Sequence, residues 1–206
     1  MSQFFAIHPD NPQSRLLREA VKILSNGGLI VYPTDSGYAL GCILGNKSAL
    51  DRIRKLRELK KDHNMTLVCR DLSELGTYAQ VSRPIFRLLK AFTPGPYTFI
   101  LNSTREVPRL MLQPKRKTLG LRVPEHVIAL SLLECLGAPL VSSSLILPGF
   151  ETPLSEPEAI RDLLGHQMDL IIDGGYCVAE STTVVDLTGD YPVIVREGRG
   201  DPTPFQ

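Results

Sequence analysis

The sequence lacks any apolar run long enough to cross a bilayer, which argues against a membrane-spanning protein. Its first residues, Met1 to Asn11, also lack the basic and then apolar order of a secretory signal peptide. We therefore expect a cytoplasmic protein that does not associate with membranes. No repeat, low-complexity tract or linker divides the 206 residues, and 43% of them are hydrophobic. One domain with a substantial core is expected, and we place it at residues 8–200.

The sequence also lacks cysteine motifs and a large net charge. The cysteines lie far apart, with no C-x-x-C pair and no histidine at metal-ligand spacing: Cys42, Cys69, Cys135 and Cys177. We expect buried thiols in a reducing compartment and no protein-bound metal. The formal net charge is only +1, so an anion site must come from local clusters of basic residues. Two clusters are present, one between Arg52 and Lys61 and one at residues 115–117.

Histidine constellations and phosphate-loop motifs are also absent. Each of the four histidines is explained more simply as structural or exposed than as a ligand. Serine, histidine and aspartate nowhere form a nucleophile elbow, and no glycine-rich phosphate loop is found.

What is present is a mixture of helix and strand patterns. Helical periodicity occurs at residues 13–26, 47–59, 84–92 and 126–136 and in a segment that reaches about residue 164. Strand patterns occur at 29–32, 65–70, 97–101, 118–123, 139–147, 168–173, 183–187 and 192–196. The last two strands are too close for a helical crossover, so antiparallel pairs are required. We predict a single α/β domain with a twisted mixed parallel and antiparallel sheet, helices on its faces, and a loose tail at 198–206.

Hydroxyl groups and glycines follow the strand at 29–32. Thr34, Ser36 and Tyr38 lie where α/β sheets present ligand-binding loops. From spacing alone, a polar turn is the simpler explanation.

A lysine and an arginine end the basic helix. Lys55 and Arg57 diverge by about 200° on a helix, so both can reach one anion only if the helix ends there and the backbone bends. A solvated basic face is the alternative.

Polar side chains also interrupt apolar strands. The hydroxyls of Ser142, Ser143 and Ser144 either satisfy backbone groups or meet a polar ligand. Arg122 and Arg196 need an anionic partner, which can be a phosphate or a carboxylate. For Arg196, a salt bridge with Asp186 or Glu197 is the structural alternative.

Taken in order, these features form a series of motifs that covers nearly the whole chain. The series is Pro33-Thr34-Asp35-Ser36-Gly37-Tyr38, Lys55-x-Arg57, Thr93-Pro94-Gly95-Pro96-Tyr97-Thr98, Gly120-x-Arg122-x-Pro124, Ser144, Thr182-Thr183-Val184-Val185-Asp186 and Val195-Arg196-Glu197-Gly198. It resembles the YrdC/YciO family, and residues 32–38 and 115–120 are similar to the YciO branch.

The resemblance implies a YrdC-like fold with a large concave cavity. It also implies synthesis of threonylcarbamoyl-adenylate from L-threonine, bicarbonate and ATP with Mg²⁺, for a tRNA modification, with pyrophosphate as the second product. By the resemblance, Lys55, Arg57 and Ser144 are catalytic. Residues that would bind substrate or nucleotide are Thr34, Ser36, Tyr38, Arg122, Ser142, Thr183 and Arg196.

Two departures from the synthase pattern predict weak or redirected activity. Ile146 stands where synthases have asparagine in Ser-x-Asn, and Glu58 replaces a proline at the start of a longer stretch. A site that loses a hydrogen-bonding partner loses much of its discrimination. The alternative function is binding of double-stranded RNA or tRNA without synthase activity, for which the candidate residues are Arg52, Lys60, Lys61, Lys115, Arg116 and Lys117.

Overall fold

Ten strands and six helices are found in the part of the chain that the computed structural model describes, residues 2–60, 63, 65–112 and 116–206. The strands are β1 (Gln3–Ala6), β2 (Ile30–Thr34), β3 (Gly37–Ile43), β4 (Thr66–Val68), β5 (Tyr97–Asn102), β6 (Thr118–Arg122), β7 (Leu140–Ser144), β8 (Leu170–Asp173), β9 (Thr183–Asp186) and β10 (Val193–Arg196). The helices are α1 (Ser14–Ser25), α2 (Lys47–Leu56), α3 (Leu72–Tyr78), α4 (Arg83–Phe92), α5 (Val127–Leu136) and α6 (Pro157–Leu164), and 3-10 turns occupy Arg109–Met111 and Thr203–Phe205. Every helix and strand predicted from the sequence is present.

Three elements were not predicted: β1, β3 and α3. Helix α3 begins at an N-cap, Asp71, whose side chain accepts the N–H of Glu74 at 2.8 Å, while Glu74 accepts the N–H of Arg70, just before the cap, at 2.7 Å. Strand β3 was interpreted as a loop, but it pairs with β2 across a turn of only two residues, Asp35 and Ser36. Gly37, with φ +101°, adopts the left-handed conformation that this turn requires.

The strands form one mixed sheet in the order β1-β8-β2-β3-β7-β4-β6-β5-β9-β10. The pairs β1–β8, β2–β8, β4–β6 and β5–β9 are parallel, and the other five pairs are antiparallel. The predicted mixed sheet in a single α/β domain is therefore confirmed.

Helices cover the two faces of the sheet unequally. Because side chains alternate along a strand, Leu29 and Val31 join a core with helices α2, α3, α4 and α6, whereas Ile30 and Tyr32 join a core with α1 and α5. The apolar strand residues under α1 and α5 come from β2, β3, β4, β7 and β8. On β6, the same face carries Thr118, Gly120 and Arg122, and no helix core includes them.

The twist of the sheet brings distant parts of this uncovered face together, at the place where the resemblance implies a cavity. By register, Arg122 is level with Ile43 of β3, three strands away, and Ser36 lies seven residues further along. In a flat sheet these positions would be about 27 Å apart. Yet Arg122 donates a hydrogen bond to the Ser36 hydroxyl at 2.8 Å. A right-handed twist of about 20–25° per strand brings diagonally opposite corners over one face, and this explains the contact.

The end of the chain corrects another expectation. Residues 198–206 are docked and do not form a loose tail, because Phe205 is 4% exposed and packs against Phe92, Tyr97 and Phe99. Tyr97 also donates from its hydroxyl to the carbonyl of Asp201 at 3.3 Å.

Candidate functional site

The β2–β3 turn forms one wall of the cavity. The Thr34 hydroxyl donates to the carbonyl of Gly37 at 2.6 Å and accepts the N–H of Ser36 at 3.2 Å. Thr34 and Ser36 are both buried, so their hydroxyls hold the turn in a fixed conformation. The polar turn that the sequence left as one alternative is thus present, and the ligand-binding loop stays a prediction.

A buried ion pair joins this turn to β6. Arg122 donates to the carboxylate of Asp35 and to the Ser36 hydroxyl, and the side chains of Arg122 and Asp35 are only 7% and 9% exposed. Asp35 Oδ2 and Arg122 Nε are buried without a partner in the structure. The anionic partner predicted for Arg122 is therefore a protein carboxylate, and the pair keeps unused hydrogen-bonding capacity.

Arg57 lies at the point where α2 ends. Its Nε donates to the carbonyl of Ile146 at 2.8 Å and its Nη1 to the hydroxyl of Ser143 at 2.6 Å. These bonds fix the guanidinium beside β7 and leave further N–H groups available. Ile146, which replaces the family asparagine, thus holds Arg57 through its backbone.

Arg196 forms the third cationic wall. It donates to the carbonyl of Thr182 at 2.9 and 3.2 Å and to the Thr182 hydroxyl at 3.2 Å, and that hydroxyl is 2.9 Å from the hydroxyl of Thr98. Within the part of the chain that the structure describes, Arg196 forms no ion pair with Asp186 or Glu197; the carboxylate of Asp186 instead caps Thr188 and lies 4.0 Å from Arg116.

Arg57 and Arg196 each lie close enough to another arginine for its positive charge to lower their pKa values. Burial, and after it the charge of Arg196, lower the pKa of Arg57 to about 10. Burial, and after it the charge of Arg122, lower the pKa of Arg196. We call Arg57, Arg122 and Arg196 the arginine cluster. Among the described residues, Asp35 alone offsets these charges through an ion pair, so the arginine cluster carries an excess of positive charge.

Several predicted site residues lie elsewhere or have structural roles. Lys55 is exposed and lines a different groove of about 310 Å³ with Arg52 and Met168, because side chains two apart on a helix diverge. Tyr38 is fully buried and donates to the carbonyl of Gly175 at 2.7 Å, and burial raises its pKa. Thr183 is also fully buried and donates to the carbonyl of Gly200 at 2.5 Å.

The serine cluster is divided by strand alternation. Ser142 is buried, 2.8 Å from the Tyr32 hydroxyl, and donates to the carbonyl of Leu40 at 2.9 Å. Ser143 contacts Arg57, and Ser144 is partly exposed at the end of β7. Ser142 therefore satisfies a local backbone group, whereas the role of Ser144 in binding a ligand stays a prediction.

Sequence reasoning missed three residues of the site: Asp35, Thr182 and Arg199. Asp35 and Thr182 stood inside the quoted motifs but were not selected. Arg199, which donates to the backbone carbonyl of Asp35, lay in the expected loose tail. Their roles depend on partners up to 164 positions away, which no local pattern shows.

The basic residues proposed for RNA binding differ in their exposure and in their hydrogen-bonding partners. Arg52 is held by Asp169 and by the carbonyl of Gln167, both at 2.6 Å, whereas Lys60 is exposed. Arg116 and Lys117 are exposed and line an open groove of about 1330 Å³. Lys61 and Lys115 lie outside the described residues.

The remaining sequence expectations concern thiols, metals and membranes. Cys42, Cys69 and Cys177 are buried as expected, but Cys135 is exposed on α5, and all four thiols are free. Among the residues that the structure covers, no group of three or more His, Cys, Asp or Glu side chains could hold a metal ion. In the same residues, no helix is both long and apolar enough to cross a membrane.

Comparison with known proteins confirms the resemblance seen in the motifs. The Sua5/YciO/YrdC family, described as telomere recombination, matches residues 22–198. The chain belongs to this family. YciO of Escherichia coli K12 is 61% identical over 205 residues, with full coverage of both chains, and the crystal structure of E. coli YciO superposes with a TM-score of 0.98.

Two further members of the Sua5/YciO/YrdC family carry a named activity or ligand. The threonylcarbamoyl-AMP synthase of Vibrio vulnificus YJ016 is 30% identical over 161 residues, which cover 77% of this chain and 86% of that protein. Pyrococcus abyssi Sua5, in a crystal structure with L-threonine, is 26% identical with a TM-score of 0.87. This chain covers 58% of that longer protein, so Sua5 contains a region without a counterpart here.

Proposed function

We propose that the protein binds ATP in its cavity and forms threonylcarbamoyl-adenylate from L-threonine, bicarbonate and ATP, as a weak or divergent synthase linked to tRNA modification. What supports this proposal is that three cations held by hydrogen bonds come together, since Arg196 lies close to both Arg57 and Arg122. The synthase of Vibrio vulnificus and the threonine-bound Sua5 support the choice of substrates.

The cluster suits the chemistry of adenylate formation. A carbamate oxygen of carboxylated threonine forms a bond to the α-phosphorus of ATP, the bond to the bridging oxygen breaks, and pyrophosphate leaves with the electron pair. Such a transfer needs positioning and neutralisation of charge more than covalent participation by the protein. Arginine donors in a partly desolvated cavity supply both, and Mg²⁺ accompanies ATP as part of the substrate.

Ile146 is the reason to expect weak activity. Its backbone carbonyl still positions Arg57, so the cation is retained. Its side chain, however, provides neither the donor nor the acceptor of the family asparagine. Lys55 is also turned toward a separate groove. Binding of ATP should therefore be retained better than turnover.

The decisive experiment measures pyrophosphate release from ATP with and without L-threonine and bicarbonate, with an authentic synthase run in parallel. Release that requires both co-substrates would support the proposal. Tight ATP binding without any such release would indicate another acceptor. If calorimetry detects no ATP binding by the folded protein, the proposal fails. The same assay on Arg18→Ala, which removes an exposed arginine of α1, gives the effect of losing a cation outside the site.

A second candidate function, RNA binding, is favoured by the groove beside β5 and β6. Four of its lining residues are basic and no lining residue is acidic: Gln80, Asn102, Ser103, Thr104, Arg105, Val107, Arg109, Leu112, Arg116 and Lys117. The groove includes Lys117, which lies about 17 Å from Arg122 along the extended chain of β6, so the groove is separate from the arginine cluster. An open basic groove fits a phosphate backbone.

Salt-dependent RNA binding tests this second candidate. Each phosphate contact contributes about −0.7 to −0.9 to the slope of log K against log salt. The double variant Arg105→Ala, Arg109→Ala should therefore reduce the slope by about 2. The pair Arg18→Ala, Arg87→Ala removes the same charge elsewhere and should leave the slope nearly unchanged. An equal loss in both double variants would show attraction to net charge and no site in this groove.

A further inference from the structure

One side chain ties the C-terminal residues 198–206 to the β2–β3 turn. Arg199 follows β10, and its Nη1 donates a hydrogen bond to the backbone carbonyl oxygen of Asp35. In the sheet order, β3 and β9 are separated by β7, β4, β6 and β5. The bond therefore joins two distant parts of one sheet, which meet only because the sheet is twisted.

The Arg199 end of this bond is firmly anchored. The N–H of Arg199 donates to the carbonyl of Ser181 at 2.9 Å, and the N–H of Gly198 donates to the hydroxyl of Thr183 at 3.0 Å. A Cβ at position 198 would lie 2.2 Å from the carbonyl oxygen of Ser181, so only glycine allows the backbones to approach so closely. Phe205 then fixes the rest of the segment in the aromatic core.

The Asp35 end carries the one carboxylate that, in residues 2–60, 63, 65–112 and 116–206, forms an ion pair with the arginine cluster. Asp35 accepts Arg199 on its backbone oxygen and Arg122 on its side chain. A shift of the turn would therefore also displace Arg122. Arg196, three residues before Arg199, belongs to the arginine cluster itself, so residues 196–199 contribute both a cavity wall and a link to the opposite wall.

We propose that Arg199 is a positioning residue: its bond to the backbone of Asp35 holds the β2–β3 turn against residues 196–199 and fixes Asp35 where it orients Arg122 toward a bound anion. The part of this inference that concerns nucleotide rests on the proposed function, whereas the link between the walls does not. An ordinary exposed arginine would influence neither the mobility of the turn nor the residence time of a ligand.

Hydrogen exchange tests the link directly. Exchange of peptides that cover residues 33–40 is compared in the wild type, Arg199→Ala, Arg199→Met and Arg199→Lys, with Arg18→Ala as the matched control. Loss of one hydrogen bond should accelerate exchange by about 3- to 10-fold in the alanine and methionine variants. The lysine variant retains a donor and should fall between them and the wild type.

Nucleotide kinetics provide a second measurement on the same proteins. The dissociation rate of ATP should rise by about 3- to 10-fold in Arg199→Ala, because the turn that holds Asp35 and Arg122 is then less firmly held around the bound nucleotide. The association rate should change little. Unchanged exchange in both the alanine and methionine variants overturns the proposal. If the wild type binds no ATP but exchange responds as expected, the link stands and the proposed function fails.

Discussion

Neutralising Asp35 should destabilise the protein far more than removal of an exposed carboxylate. Asp35→Asn keeps the size and turn preference of the side chain and an oxygen that can accept from Arg122, so the variant removes mainly the charge. The guanidinium of Arg122, only 7% exposed, would then be buried without its counter-charge. Breaking a buried pair in this way costs about 3–5 kcal/mol of unfolding free energy.

The geometry indicates the lower end of that range. Asp35 Oδ2 and Arg122 Nε are already unpartnered, so the pair is not fully bidentate, and the other Arg122 bond, to Ser36, survives. We expect a loss of about 3 kcal/mol, which lowers Tm by about 6–12 °C in a domain of this size.

Urea unfolding followed by circular dichroism measures this loss. The control is Asp51→Ala, which breaks an exposed 3.5 Å pair with Arg54 and should cost less than about 1 kcal/mol. The double variant Asp35→Asn, Arg122→Met leaves no unpaired buried charge and should be more stable than Asp35→Asn alone. If Asp35→Asn costs no more than Asp51→Ala, or if the double variant is no more stable, the charge argument is wrong.

Three other predictions concern the cavity and its surroundings. Arg57→Ala should weaken ATP binding by about 1–3 kcal/mol, or about 5- to 150-fold, because a charge-assisted bond is lost; unchanged affinity by calorimetry in a folded variant would contradict this. Ile146→Asn should raise threonine-dependent pyrophosphate release by restoring a donor and an acceptor, and a folded, ATP-binding variant with no increase would show that the position is not limiting. Burial lowers the pKa of His126 below 6.5, so the unfolded chain takes up the proton first and the free energy of unfolding should fall as the pH drops below about 6.5. His126→Gln should reduce that slope in urea titrations, and an unchanged slope would assign it to other groups.

Local patterns were sufficient to predict most of the secondary structure. The apolar face of α1, formed by Leu17, Ala20 and Leu24, repeats with helical spacing and is buried as that spacing requires. The short distance between β9 and β10 required an antiparallel pair, and the structure contains it. These features depend on residues that are neighbours in the sequence, so they can be predicted from local patterns.

The site depended on contacts that the sequence does not display. Arg122 was selected because a charge in a strand needs a partner, but its partner, 87 positions away, could be named only from the structure. Lys55 and Arg57 show the same dependence, since the motif names both residues but only the structure shows that Lys55 lines one groove and Arg57 donates to Ser143. The tail was misjudged because glycine, proline and charge outnumber its one aromatic anchor, Phe205.

The contact between diagonally opposite corners of the sheet also has a consequence for how the site forms while the chain is being synthesised. Its walls come from residues 34–36, 57, 122 and 143–146 and, last, from 182, 196 and 199. A nascent chain that has emerged only as far as β8 holds the β2–β3 turn and two arginines, but has neither the facing wall nor the link across the opening. A ligand that needs both walls therefore cannot stabilise a partly synthesised chain before residue 199 has emerged. Assistance from ligand binding is thus restricted to the final step of folding, and the same step completes the larger hydrophobic core, because Val185, Leu187 and Phe205 belong to it.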